Sequence, residues 1–313
     1  MSQRTRVHRP ATLCRKATGA QYRKCLAWEE AGLISFPQPV PDALSRDQRR
    51  FEAMITLVLA KALCDRQLDG ALLGFHRVEP SPDGIVLYPH TAMAKRLIRE
   101  LLPRLDDEYE GQLRGVPGLR PRWQQGTIVL YDVTTSAQVR VIWRGCPPLV
   151  AVDLESPGVA LWRHDVLDAE EATYRLRWTG EAYANPKRRS VVEAAARDWL
   201  LSRILRRLAL VNQGASSHGF ANTYSHVDDD LVVESCCGTD PAKIKRLLVR
   251  SGLATPPEDP LLAGLEGPRQ GAGQINLGGR IGVTFRCLHD DECTLEPGRA
   301  NAYIDQQRRE WYS

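Results

Sequence analysis

Apolar residues return at three- and four-residue steps in four stretches of the chain, and each predicts a helix with one buried face. Phe51, Met54, Ile55, Val58 and Leu59 do so between Asp47 and Cys64. Met93, Leu97, Ile98, Leu101, Leu102 and Leu105 do so behind Thr91, which is suited to capping a first turn. Leu200, Leu201, Ile204, Leu205, Leu208 and Val211 share one side of a third helix expected over 187–211. A fourth starts at Asp240 and Pro241, turns Ile244, Leu247 and Leu248 inward and stops at Gly252.

Elsewhere the pattern changes to that of strands and turns. Segments 71–78 and 84–88 flank Pro80-Ser81-Pro82-Asp83 as one predicted hairpin, and 127–133 and 138–143 flank Thr134-Thr135-Ser136-Ala137 as another. Segments 149–154, 159–162 and 173–178 continue the series, the last alternating Tyr174, Leu176 and Trp178 onto one face. Near the C-terminus 274–277 and 280–288 flank Gly278-Gly279, a two-residue hairpin turn. There Ile281, Val283, Phe285 and Cys287 alternate. The mixed order predicts an α+β fold, a largely antiparallel sheet with packed helices and a small helical N-terminal segment. Four regions are expected: a basic helical arm with a Pro-rich linker over 1–44, an α+β core over 45–253, a Pro/Gly-rich loop or linker over 254–273, and a hairpin with a tail over 274–313.

The N-terminal arm predicts two short helices, over 10–18 and 21–30, stopped at Gly19 and Gly32. Their layout resembles a helix-turn-helix, although Arg15 stands where that motif takes a small buried residue. Phe36-Pro37-Gln38-Pro39-Val40-Pro41 then predicts an extended linker. Over 46–144 the order helix, hairpin, helix, hairpin, with Asp69-Gly70 between the first helix and the first strand, resembles in topology one half of a LAGLIDADG homing endonuclease. The first helix lacks that family's small-residue packing face, so the resemblance assigns no catalytic residue.

At 313 residues, 43% hydrophobic and 26% charged, the chain has the composition of a globular protein with a substantial core. Met54 to Ala60 is the most apolar run and is too short to span a bilayer, and no secretory h-region opens the chain, so no membrane association is expected. Eight irregularly spaced cysteines suit a reducing compartment, which predicts a cytoplasmic protein. Net charge is only +4, but seven of the 42 basic residues are lysine and 35 are arginine, the side chain best shaped for bidentate phosphate contact.

The distribution of those charges carries the main functional expectation. Arg15, Lys16, Arg23 and Lys24 precede the first acid, Glu29. Arg188, Arg189, Arg203, Arg206 and Arg207 gather opposite the apolar side of the third predicted helix, with Trp199 beside them as a stacking surface. Together they predict a nucleic-acid-binding protein working largely through phosphate contacts, in the setting of a mobile-element or defence assembly. The same arginines would equally dock on an acidic protein partner, which makes an interaction subunit the alternative.

A third expectation is chemical. The stretch 212–237 is polar and holds His218, His226 and Asp228, with Ser216, Ser217, Asn222, Cys236 and Cys237. It is the candidate site of a hydrolase or nuclease using His/Asp, or Cys/His, acid–base and nucleophilic work. Zinc is the candidate cofactor, held by Cys237 with Cys287, His289 and Cys293. Gly271-Ala272-Gly273 is no phosphate loop, because the Gly-Lys-Ser/Thr ending is missing.

Overall fold

A computed structural model describes residues 10–63, 72–106, 112–124, 127–143, 158–179, 190–214, 220–224, 230–235, 241–253, 262, 269–271, 274–276 and 282–287. The first half holds α1 (Pro10–Thr18), α2 (Tyr22–Glu30), α3 (Arg46–Ala62), β1 (Phe75–Ser81), β2 (Gly84–Pro89) and α4 (Thr91–Leu101). There follow β3 (Arg104–Asp106), β4 (Gln112–Arg114), β5 (Leu119–Gln124), β6 (Thr127–Asp132), β7 (Gln138–Ile142) and β8 (Val159–Ala160). The second half holds α5 (Ala169–Thr179), α6 (Val191–Leu205), α7 (Leu208–Gly214), β9 (Phe220–Tyr224), β10 (Asp230–Ser235) and α8 (Pro241–Arg250). It ends with β11 (Arg269–Gly271), β12 (Gln274–Asn276) and β13 (Gly282–Cys287).

The class is α+β, with three mostly antiparallel sheets. The first sheet runs β1-β2-β7-β6-β5, and only the β2–β7 junction is parallel. The second runs β11-β12-β13-β10-β9, with β10 and β13 parallel. A small third sheet joins β4, β3 and β8. Both expected hairpins before residue 144 form, with three strands between α4 and the second of them. The C-terminal strand pair forms as well, and β13 then pairs with β10 across the proline- and glycine-rich segment.

Ile85, Leu87, Ile128, Leu130, Val139 and Val141 alternate onto the inner face of the first sheet and share one buried cluster with α3 and α6. Ser45 starts α3 by accepting a hydrogen bond from the Gln48 amide (3.0 Å). Ser190 and Glu193 form a capping box at the start of α6. No described helix is long and apolar enough to cross a membrane.

Three expectations change. Residues 173–178 belong to helix α5 instead of a strand. The Asp168 side chain accepts from the Glu170 amide (2.9 Å) and the Glu171 carboxylate from the Asp168 amide (3.0 Å), so helix-start chemistry overrides the alternation. Within the polar stretch, read above as a candidate site without regular structure, Phe220–Tyr224 is a strand paired with β10. Segment 149–154 lies outside the described residues.

The third change is the arginine face. Arg203, Arg206, Arg207 and Trp199 lie in the interior, at 4, 0, 0 and 3% exposure. Helix α6 is covered on both sides, because α3 packs along it and the linker 37–42 and the segment 251–253 close over its far side. Arg206 is chelated by Glu52 (2.8 and 2.6 Å) and also donates to the carbonyls of Pro41, Ser81 and Gly84. Arg203 pairs with Asp42 and donates to the carbonyls of Gly252 and Leu253, with Trp199 under its guanidinium (4.2 Å). Arg207 donates to Ser251 and to the Arg203 carbonyl. Burial pushes its guanidinium down to about 9, so it stays charged at neutral pH.

Candidate nucleic-acid interface

Alternation on the first sheet sends every second residue away from the core. Register then aligns those outward residues in rows. One row crosses all five strands: Glu79 opposite Val86, Val86 opposite Arg140, Arg140 opposite Val129, and Val129 opposite Arg122. Arg122 and Arg140 are exposed, as are Gln124 and Gln138 beside them. Val129, between the two arginines, is only 6% exposed. Tyr131, on the next row, carries the Arg122 guanidinium over its ring at 4.8 Å.

At the other side of the sheet, Tyr88 carries the Arg77 guanidinium at 3.6 Å. The Tyr88 hydroxyl donates to Glu79 (2.9 Å), and burial pushes its phenol up, so the proton needed for that bond is retained. Glu79 is the acid of this row, and it is already neutralised by Lys24 (2.6 Å) and Arg77 (3.3 Å). The exposed acids of the described residues are Asp83 in the β1–β2 turn, Asp165 and Glu170 before and within the first turn of α5, and Glu30 at the end of α2.

The Lys24–Glu79 pair also fastens the N-terminal helices to this edge of the sheet. Helices α1 and α2 have their own small core of Ala11, Cys14, Ala20, Cys25, Trp28 and Ile34. Cys14, Cys25 and Trp28 turn inward, leaving Arg15, Lys16 and Arg23 exposed, while Lys24 lies 5.6 Å from the Trp28 ring centroid. The hydrogen bond between the Cys14 and Cys25 thiols raises the first and lowers the second. The expected basic arm is therefore a folded pair of helices, and Lys24 holds it at this sheet edge.

Of the residues expected to contact nucleic acid, Arg15, Lys16 and Arg23 are exposed and Lys24 is exposed but paired with Glu79, whereas Trp199, Arg203, Arg206 and Arg207 are withdrawn into the core. Arg188 and Arg189 lie outside the described residues. So do the proposed catalytic residues His218, His226 and Asp228 and the proposed zinc ligands Cys237, His289 and Cys293. The backbone of Cys287 ends β13, opposite Ser235. Among the described residues no group of three or more His, Cys, Asp or Glu side chains is placed to hold a metal ion.

Sequence reasoning missed Arg122, Arg140, Tyr131, Tyr88 and Arg77. The signal was present in part. Gln138 and Arg140 alternate with Val139 and Val141 in a strand that was expected, and the polar half of that alternation was the surface. Strand β5 was harder to see, because Pro121 interrupts it. The proline is tolerated there because β5 is an edge strand. No family model matches this chain, and neither a curated protein nor a solved structure matches it.

Proposed function

We propose that this protein binds nucleic acid through the outer face of its first sheet, extended by the exposed basic residues of α1 and α2. The observation that carries the reading is the cross-strand row. It presents Arg122 and Arg140 to solvent while its one carboxylate, Glu79, is consumed by Lys24 and Arg77. An exposed pair of guanidinium groups with no carboxylate between them attracts an anionic polymer, and phosphate contacts of this kind position without reading sequence.

Fluorescence anisotropy with a labelled oligonucleotide tests this. Arg140→Glu adds a negative charge at the centre of the row and lies on an exposed strand position, so the fold survives. The expected result is an affinity lowered by about tenfold, in line with losing one phosphate contact and adding a repulsion. Wild-type protein that leaves the oligonucleotide free while binding a polyglutamate chain would replace this reading with that of an acidic protein partner.

A further inference from the structure

We infer that this sheet face takes single-stranded nucleic acid in preference to duplex, holding unpaired bases on its two guanidinium–tyrosine pairs; the inference rests on the nucleic-acid reading above. The two pairs are Arg122 on Tyr131 and Arg77 on Tyr88. Register fixes where they stand. Tyr131 lies opposite Gln138, Leu87 lies opposite Val141, and Tyr88 is therefore one step further, beside Ile142. Arg140 falls midway on the diagonal joining the two tyrosines, two residues and one strand from each. With about 3.3 Å per residue and about 4.8 Å per strand, the pairs stand roughly 16 Å apart.

That arrangement is a stack, a charge and a stack in line along a diagonal of the outer sheet face. A base is itself a flat π-system and can lie on either guanidinium, continuing the arginine–tyrosine stack, while the phosphates between two such bases meet Arg140. Only an unpaired strand can offer this. In a duplex the base faces are buried against one another, leaving groove edges and phosphates. The face of a five-stranded sheet enters neither groove, since the major groove admits a helix or a two-stranded ribbon. Aromatic platforms of this type contribute stacking that any base can supply, so the expected recognition tolerates sequence changes.

The test compares a labelled mixed-sequence single strand with the blunt duplex of the same sequence, against wild type, Tyr131→Ala, Tyr131→Phe and Arg140→Glu. The single strand is expected to bind about tenfold or more tighter than the duplex. Tyr131→Ala should lower single-strand affinity by roughly 5- to 100-fold and duplex affinity far less, and Tyr131→Phe, which keeps the ring, should restore it. Arg140→Glu should weaken both. If duplex and single strand bind alike and Tyr131→Phe and Tyr131→Ala match wild type, the inference is wrong and the nucleic-acid reading stands. If wild type binds neither strand nor duplex, the reading itself fails. Should Tyr131→Ala unfold, the strand-to-duplex ratio of wild type and Tyr131→Phe still decides.

Discussion

Arg206 and Glu52 form a two-bond ion pair, at 2.8 and 2.6 Å, where neither side chain is exposed at all. The pair joins α6 to α3. The remaining Arg206 donors fasten the linker at Pro41 and the β1–β2 turn at Ser81 and Gly84. The Glu52 oxygens also accept from Gln48 (2.8 Å) and Ser202 (2.6 Å). A buried charge is tolerated when its lone pairs and protons are satisfied in this way, and removing one partner strands the other. Arg206→Met is therefore expected to cost about 3–5 kcal/mol in urea unfolding. Adding Glu52→Leu to Arg206→Met should recover part of that loss, because no unpaired carboxylate remains.

Arg207 gives the contrasting case one residue away. It is fully buried, its ordinary value is lowered by burial, and one of its terminal nitrogens has no hydrogen-bond partner. Its nearest carboxylate, Asp42, is 3.8 Å away and is held mainly by Arg203. Arg207→Met is accordingly expected to change stability by less than about 1 kcal/mol, or to raise it, since a desolvated cation is exchanged for an apolar side chain of similar volume. Thermal unfolding of Arg206→Met and Arg207→Met side by side checks the contrast.

A third buried pair supplies the pH dependence. Glu171 meets Arg120 through two bonds of 2.9 Å and accepts from the Gly118 amide (2.7 Å). Burial alone would raise its carboxyl, but the Arg120 guanidinium and the Gly118 and Asp168 amides outweigh that and hold it below the usual value. A carboxyl with a depressed folded value binds fewer protons folded than unfolded. Its stabilisation is thus complete above the unfolded value of about 4.3 and is lost as pH falls through the lower folded value. Glu171→Gln is expected to be less stable than wild type at neutral pH, with the gap closing below about pH 4. Denaturation midpoints measured across that range test the sign.

The two thiols of the N-terminal helices make a chemical prediction. Cys14 and Cys25 are both fully buried in the small core between α1 and α2. Both are expected to resist iodoacetamide in the folded protein and to react at once in denaturant. Peptide mapping after timed alkylation reads both rates.

The fold class and most elements were legible because long apolar periods and hairpin turns are local signals, as in α3, α4 and the β6–β7 hairpin. The burial of α6 was not. The apolar side expected of one helix over 187–211 was read correctly through Leu200, Leu201, Ile204 and Leu205 of α6 and Leu208 and Val211 of α7, all buried, although the chain breaks into two helices at Arg206 and Arg207. Its arginine side looked like a solvated face, since the residues that pair with it are far away in sequence: Glu52 lies 154 positions from Arg206, and Asp42 161 from Arg203. A charge pattern on one helix cannot reveal a distant carboxylate. The functional surface was hidden for a related reason. Arg122 and Arg140 become neighbours only through strand register, which is a tertiary fact.

The most direct test of the proposed interface is a salt titration of single-strand binding for wild type and for Arg122→Gln with Arg140→Gln. The account predicts that removing two phosphate contacts reduces the slope of log affinity against log salt by about 1.4, with the fold unchanged by circular dichroism. Equal slopes and equal affinities for the two proteins would contradict it.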